Sequence, residues 1–381
     1  MLIDKITVYP VNLPFKMAFN HAQKRAPGAQ SLVVKIDAGP VTGYGEGAPR
    51  KYVTGEDLQT ASATLIDVTG HPKFCWKFKK LSDIQNFIQS YGGTKSRNAA
   101  LCALETALID TFARTLEKPA IDFFPQNHRT GTIRYAATIP LAQAERTARF
   151  CDRINAGGLN SVRVKLGRNP EENESSLLTV RRICGPDCDI RVDVNGAWNF
   201  HDFIDHLPLL STAGVGIIEQ PLRPGDPDLS DAAAYAGREG MILMADEEAC
   251  NDSQVERIIQ EGYYRMVNVR LSKCGGLYAS LAIVEKLRRA GVLFQIGCQL
   301  GESGILSAAG RTLSLLCADA RYYDGSYDAF LLEENTTRED ISFGFGGEAH
   351  LLAGPGFGFE VDPVRLMRLS NTNETLEIRR P

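Results

Sequence analysis

The hydrophobic positions of this chain change period twice. Residues 1 to about 50 read as strands: 3–8 alternates apolar with polar, and 32–36 is rich in β-branched residues. Between them, 15–30 is polar and holds Pro27 and Gly28, which predicts a loop. A second loop is expected over 43–54, where the chain reads Gly-Tyr-Gly-Glu-Gly-Ala-Pro-Arg-Lys-Tyr. Helical spacing then takes over at 56–69, 81–90 and 98–116. In the last of these Ala99, Ala100, Ala103, Leu104, Ala107 and Leu108 recur three and four residues apart.

After residue 131 short β-rich runs alternate with helices. The strands are expected at 133–139, 162–166, 190–194, 216–219, 242–245, 266–271, 293–296 and 321–323, with helices such as 142–154, 170–184, 277–290 and 305–317 between them. Eight β-α units over about 200 residues predict a (β/α)8 barrel, its last unit the least regular. A doubly wound open sheet is the competing fold. It needs a phosphate-binding turn, and no Gly-x-Gly-x-x-Gly follows the first strand here. Beyond Asp340 the chain is Gly-rich and reads as a return segment packing on the N-terminal part. The expected organisation is a capping portion over 1–130, a barrel over 131–335 and a return segment over 336–381.

Composition narrows the function classes. A chain of 381 residues suggests about two domains. A hydrophobic share of 44% and a charged share of 23% are those of a globular protein. The net charge is −4 with both signs interspersed, so neither a nucleic-acid footprint nor a polybasic membrane anchor is expected. The N-terminus carries charges where a secretory leader needs an apolar stretch, and no run approaches the roughly 18 apolar residues of a membrane span. Of nine cysteines only Cys184 and Cys188 are close. That is too sparse for a zinc site and reads as reduced thiols in a cytoplasmic protein.

Charges interrupt the strand ends in a regular way. Lys165 ends the second barrel strand, Asp193 the third, Glu219 the fourth and Asp246 the fifth, and Arg270 lies on the sixth. The gaps are 28, 26, 27 and 24 residues, one β-α unit each. Five successive strands thus present a charge at the C-terminal mouth, where barrel active sites lie. A single Asp at a strand end is usually a helix cap. Three carboxylates on three consecutive strands, with a lysine on the strand before, point instead to a hard divalent cation, Mg²⁺ with Mn²⁺ as substitute. Such a metal would stabilise an oxyanion formed when Lys165 removes the proton next to a small-molecule carboxylate.

With these residues in place, the chain resembles the enolase superfamily in its muconate-lactonizing-enzyme-like subgroup. The match runs over nearly the whole chain and includes Tyr-Val-Thr-Gly-Glu at 52–56 and Lys-Cys-Gly-Gly at 273–276. The resemblance implies a modified (β/α)8 TIM barrel with an α+β capping domain from both termini. It puts metal ligands at Asp193, Glu219 and Asp246, and the base at Lys165 of Arg163-Val164-Lys165. The opposite-face lysine of the family is replaced by Arg270. Arginine stays protonated and is a poor base, but it can clamp a carboxylate. Lys273 is too few residues on to take over, because its offset along the strand turns it aside. The paired aspartates that hold a substrate ammonium in the dipeptide epimerases are reduced to Asp324. Glu302 is expected to act in catalysis or hydrogen bonding. Asn195, Lys273, Cys298, Gln299, Asp324, His21 and Tyr52 are expected to bind substrate. One credible base favours a one-face reaction, a lyase or cycloisomerase. An epimerase or racemase of a dipeptide or N-substituted amino acid is the alternative, and a non-catalytic carboxylate-binding barrel is the contrast. A homo-oligomer is expected.

Overall fold

The computed structural model describes residues 1–21, 24–72 and 74–380, and the side chains of these except 18–21 and 24–26. The chain opens with strands β1 (Lys5–His21), β2 (Lys24–Ala38) and β3 (Val41–Gly47), then helices α1 (Leu58–Gly70), α2 (Leu81–Gln89) and α3 (Asn98–Thr115). There follow β4 (Thr132–Arg134), β5 (Ala137–Ile139), α4 (Ala144–Ala156), β6 (Ser161–Lys165), α5 (Pro170–Cys184), β7 (Asp189–Asp193), α6 (Phe200–Thr212), β8 (Val215–Glu219) and α7 (Leu229–Arg238). Next come β9 (Ile242–Ala245), α8 (Asp252–Glu261), β10 (Tyr264–Arg270), α9 (Leu271–Cys274), α10 (Leu277–Ala290), β11 (Leu293–Gly297), α11 (Gly304–Leu315), β12 (Tyr322–Tyr323) and α12 (Asp328–Leu331). The chain finishes with β13 (Glu348–His350), α13 (Pro363–Leu369) and β14 (Leu376–Arg379).

Strands β5 to β12 form one eight-stranded parallel sheet in sequence order. Its ends meet where Ala136 N donates to Tyr323 O at 2.8 Å, so the sheet curls into a barrel. The barrel interior is layered by two-residue steps along the strands. Ile217, Met244, Met266 and Tyr322 form an apolar floor. Two residues on, in the same inward phase, stand Glu219, Asp246, Asn268 and Asp324. Arg191 and Gln295 stand at the level of the floor and meet there as a buried polar pair, so the floor is apolar on one side only.

A separate antiparallel sheet, in the order β14-β1-β2-β3, covers one end. Two parts of it, and a strand pair outside it, correct the sequence reading. The region expected as a loop at 15–30 is the end of β1 and the start of β2, a long hairpin paired through Pro14–Gly28 and on to His21–Lys24. Its Pro and Gly sit within strands at a register irregularity rather than in a loop. Gly43, Gly45 and Gly47 belong to β3. Their missing side chains let α3 lie directly on the strand, since a Cβ at each would strike Thr111, Ala107 or Ala99. The expected first barrel strand, 133–139, is two strands: β4 pairs with β13 outside the barrel, and only β5 enters it. The return segment accordingly touches the barrel foot through β13 and the cap through β14.

Buried carboxylates fasten the cap to the barrel. Glu46 of β3 accepts from Ser303 N at 3.1 Å and Leu306 N at 3.1 Å, at the start of α11. Glu105 of α3 accepts from Leu277 N and from Tyr278 N at 3.3 Å, at the start of α10. Each supplies acceptors to helix-terminal N–H groups that have no partner within their own helix. Among the described residues, no helix is long and apolar enough to cross a membrane.

Candidate active site

Each charged strand end projects into the mouth because it follows an inward residue by two. Lys165 Nζ donates to Asp193 Oδ2 at 2.5 Å and to Asn195 Oδ1 at 2.9 Å. Arg163, two residues earlier on β6, reaches Glu219 Oε2 at 3.3 Å and Asp324 Oδ2 at 3.4 Å. Arg270 closes an ion pair on Asp246, another on Glu219 Oε1 at 3.2 Å, and donates to Gln299 Oε1 at 3.2 Å. Asn268 donates to Glu219 Oε1 at 2.6 Å. Lys165 on β6 and Arg270 on β10 are four strands apart in an eight-stranded barrel, so they face each other with the carboxylates of β7, β8 and β9 between them.

The three carboxylates are fully buried. Burial, followed by the neighbouring Glu219, pushes the Asp193 carboxyl up. Burial also opposes the charge on Glu219, but Arg163 and Arg270 beside it bring its carboxyl down to about 2. Burial works against the Arg270 charge as well, and Asp246 and Glu219 outweigh it, so the guanidinium is held well above its usual value. Among the described residues no three His, Cys, Asp or Glu side chains converge closely enough to hold a metal ion. The oxygens of Asp193, Glu219 and Asp246 are turned onto lysine and arginine. The donor set still fits a hard cation: three carboxylates on adjacent strand ends, each facing positive charge, with no sulfur or imidazole among them.

The backbone is strained just past two of these residues. Asn195 has φ 50° and Gln220 φ 37°, the left-handed region. Both side chains compensate. Asn195 bridges Lys165 and Glu247, the latter at 3.0 Å, and Gln220 accepts from Asp246 N at 3.0 Å while donating to Tyr264 Oη at 3.0 Å.

A cavity of about 610 Å³ opens above this cluster. Of the expected residues, Lys165, Arg163, Arg270, Asn195, Cys298, Gln299, Glu302 and Tyr52 line it. Glu302 accepts from Gln299 N at 2.6 Å, and burial raises its carboxyl to about 8. Two expectations need correction. Asp324, like Asp193, Glu219 and Asp246, lies beneath the cavity rather than in its lining, and it is buried and paired with Arg191 at 2.9 Å as well as with Arg163. Its negative charge is consumed beneath the site. Lys273 is not on a strand at all: β10 ends at Arg270, and the turn of α9 folds Lys273 Nζ back onto Asp246 O at 2.7 Å and Asp246 Oδ1 at 3.1 Å. It is fully buried and holds Asp246 rather than substrate. The His21 side chain lies outside the described residues.

Sequence reasoning missed Arg191, Glu247 and Asn268. Arg191 stacks 4.1 Å from the Tyr322 ring centroid and neutralises Asp324. The signal was available, since Arg191 precedes Asp193 by two and must face inward with it. Glu247 follows a ligand-type residue directly, and its inward turn depends on the loop after β9, which spacing does not fix.

The match to the model of the enolase C-terminal domain-like family spans residues 145–365. The chain belongs to that family. It is 24% identical over 370 residues to a hydrophobic dipeptide epimerase of Enterococcus faecalis, covering 96% of each chain. It is 27% identical over 315 residues to an N-succinyl-L-Arg/Lys racemase of Bacillus cereus, covering 81% of this chain and 83% of the other. The fold matches that of a dipeptide epimerase from E. faecalis V583, solved with Mg and the dipeptide L-Leu-L-Tyr, at TM-score 0.84 and 22% identity, over 94% of this chain and 100% of that one. A muconate lactonizing enzyme from Pseudomonas fluorescens, solved with muconolactone, aligns at TM-score 0.85 and 20% identity, over 97% and 99%. The enolase-superfamily resemblance and the capped-barrel fold are therefore borne out.

Proposed function

We propose that this protein epimerises or racemises an N-substituted amino acid by moving the proton on the carbon next to its carboxylate. The observation that carries this is the placing of two groups able to exchange a proton, Lys165 and Glu302, on the walls of one cavity, with three buried carboxylates beside Lys165 and Arg270. The curated relatives named above, an epimerase and a racemase, support it further. This is the reading that the sequence ranked second, and it displaces the one-base lyase or cycloisomerase as the main one.

Asp193, Glu219 and Asp246 would hold Mg²⁺, which when bound supplies positive charge to the substrate carboxylate. Lys165 takes the proton on its own face and is aimed by Asp193 and Asn195. Arg270 faces the same carbon from across the barrel as a fixed positive charge. Glu302 shares the wall of Arg270 through Gln299 and is the candidate proton donor for the second face. Asp324 is neutralised by two arginines, so an ammonium group finds no free carboxylate there. That favours an acylated nitrogen over the free amine of a dipeptide.

Arg270 itself favours a second reading. A guanidinium tied to Asp246 and Glu219 gives up no proton, which suits a one-base elimination or cycloisomerisation. One experiment decides between them. The enzyme is incubated with Mg²⁺ and N-acyl amino acids of each hand in D₂O, and the α-proton is followed by NMR. Deuterium in both epimers supports epimerisation. Exchange in one epimer with retention, or loss of a β-substituent, supports the one-base reaction. A homo-oligomer is proposed with this reading and is checked by light scattering.

A further inference from the structure

We propose that the substrate carries a long apolar N-acyl tail, which lies in a groove running from the catalytic cavity along helix α4. This inference rests on the N-acyl amino acid reading above. The cavity that holds Lys165 and Arg270 does not stop at the barrel mouth. Arg146, Phe150 and Ile154 line it, and so does Leu159 beyond the end of α4. The first three are four residues apart, so they form one stripe on one helix face. At 1.5 Å per residue that stripe is about 12 Å long, the reach of about three and a half extended residues.

The rest of the groove is aromatic: Phe330 and Phe343 line it, and Phe345 lies against Gly158 just past the end of α4. Phe330 follows β12, and Phe345 lies in the loop before β13. Phe330 is 58% exposed and Phe345 77% exposed. Large apolar side chains left open beside a reactive cavity mark a surface built to be covered. Arg146, Arg153 and Lys16 also line the cavity, so positive charge accompanies the apolar floor; the Arg146 guanidinium lies 5.7 Å from the Phe150 ring centroid. A bare amino acid with an acetyl group would fill the mouth and leave the groove empty. A linear alkyl tail on the nitrogen extends from the mouth into the groove and buries its apolar length against Phe150, Ile154, Leu159 and Phe330. The occupant is therefore an unbranched acyl chain of medium to long length.

The test uses the full chain with Mg²⁺ and N-acetyl-, N-octanoyl- and N-dodecanoyl-alanine, each below its micellar concentration. Calorimetry measures binding, and NMR in D₂O measures α-proton exchange. The dodecanoyl compound is expected to bind at least tenfold more tightly than the acetyl compound. Phe330→Ser and Phe345→Ser should each cut that ratio at least threefold; both side chains are more than half exposed, so the fold does not depend on them. Equal affinity for all three lengths overturns the proposal. So does a pair of variants that keep the length preference but change the oligomeric mass, since the face would then lie between copies of the chain. Tail-dependent binding without α-proton exchange supports the groove and removes the racemase reading, so the two failures are distinguishable.

Discussion

In the proposed reaction Lys165 is the base. It lies beside Asp193 and Asn195 and lines the cavity, so it is placed to take a proton from a bound substrate. Lys165→Ala should lower α-proton exchange by about 10² to 10⁴ while leaving the fold intact; circular dichroism and deuterium incorporation check the two halves of that statement. Glu302 makes a pH claim. Burial keeps its carboxyl protonated up to about 8, so as a donor it is present below that pH and lost above it. Delivery of deuterium to the second face after Lys165 has removed the proton should therefore fall as pH rises through about 8, whereas removal of a proton from that face needs the ionised carboxylate and should rise; Glu302→Gln should abolish both while exchange on the Lys165 face continues. A pH profile for each epimer reads this directly. An unchanged second-face rate in the variant would assign the donor elsewhere. Lys165 is legible in the sequence as a charge at a strand end; Glu302 lies in the loop between β11 and α11 and is read from its place after the seventh strand and from the family resemblance. The pairing of Asp324 was not legible, because Arg191 and Arg163 reach it from strands far from it in sequence.

At the scale of elements, the start of α10 concentrates the constraints. Gly276 has φ 113°, and a Cβ there would strike the Glu105 carboxylate. Gly276→Ala should destabilise the protein by about 1–3 kcal/mol through backbone strain, plus the cost of displacing Glu105; a denaturant melt checks it. Glu105 itself links stability to pH. Burial raises its carboxyl from the ordinary 4.5 to about 8, against two backbone N–H donors. The folded chain thus holds this proton more tightly than the unfolded chain does. Its contribution is complete below about 4.5 and is lost as pH rises through about 8. The melting temperature should drop between pH 6 and pH 9, and Glu105→Gln should flatten that drop. The Lys-Cys-Gly-Gly run was visible in the sequence as a resemblance. Its physical reason was not, since the carboxylate that demands glycine comes from α3, 171 residues earlier.

For the whole molecule the central expectation is metal dependence. Asp193, Glu219 and Asp246 come from three strands and are balanced in the structure by Lys165, Arg163, Arg270 and Lys273. Exhaustive chelation should abolish α-proton exchange, with Mg²⁺ restoring it and Mn²⁺ restoring part. It should also lower the melting temperature, because a ligand that binds only the folded state stabilises it by mass action. Full exchange in protein shown to be metal-free by elemental analysis would remove the metal from the reaction. The cap matters at this scale too. Glu46 and Glu105 each tie a cap element to a barrel helix, so cap and barrel should melt in one transition.

The order of the barrel strands, the charged residue ending each and the helices between them were all set by the sequence. Their spacing is local and periodic, and a strand of alternating phase fixes which residues face inward. Lys165, Asp193, Glu219 and Asp246 were legible for that reason. Tertiary structure decided the rest. The glycines of β3 look like a loop until α3 is pressed onto them. The run at 133–139 looks like one strand until β13 pairs with its first half. Lys273 looks like a substrate contact until the turn of α9 carries it back to Asp246, and Asp324 looks free for an amine until Arg191 reaches it. In each case the deciding partner is remote in sequence, so pattern along the chain carries no record of it; only the packed molecule brings the two together.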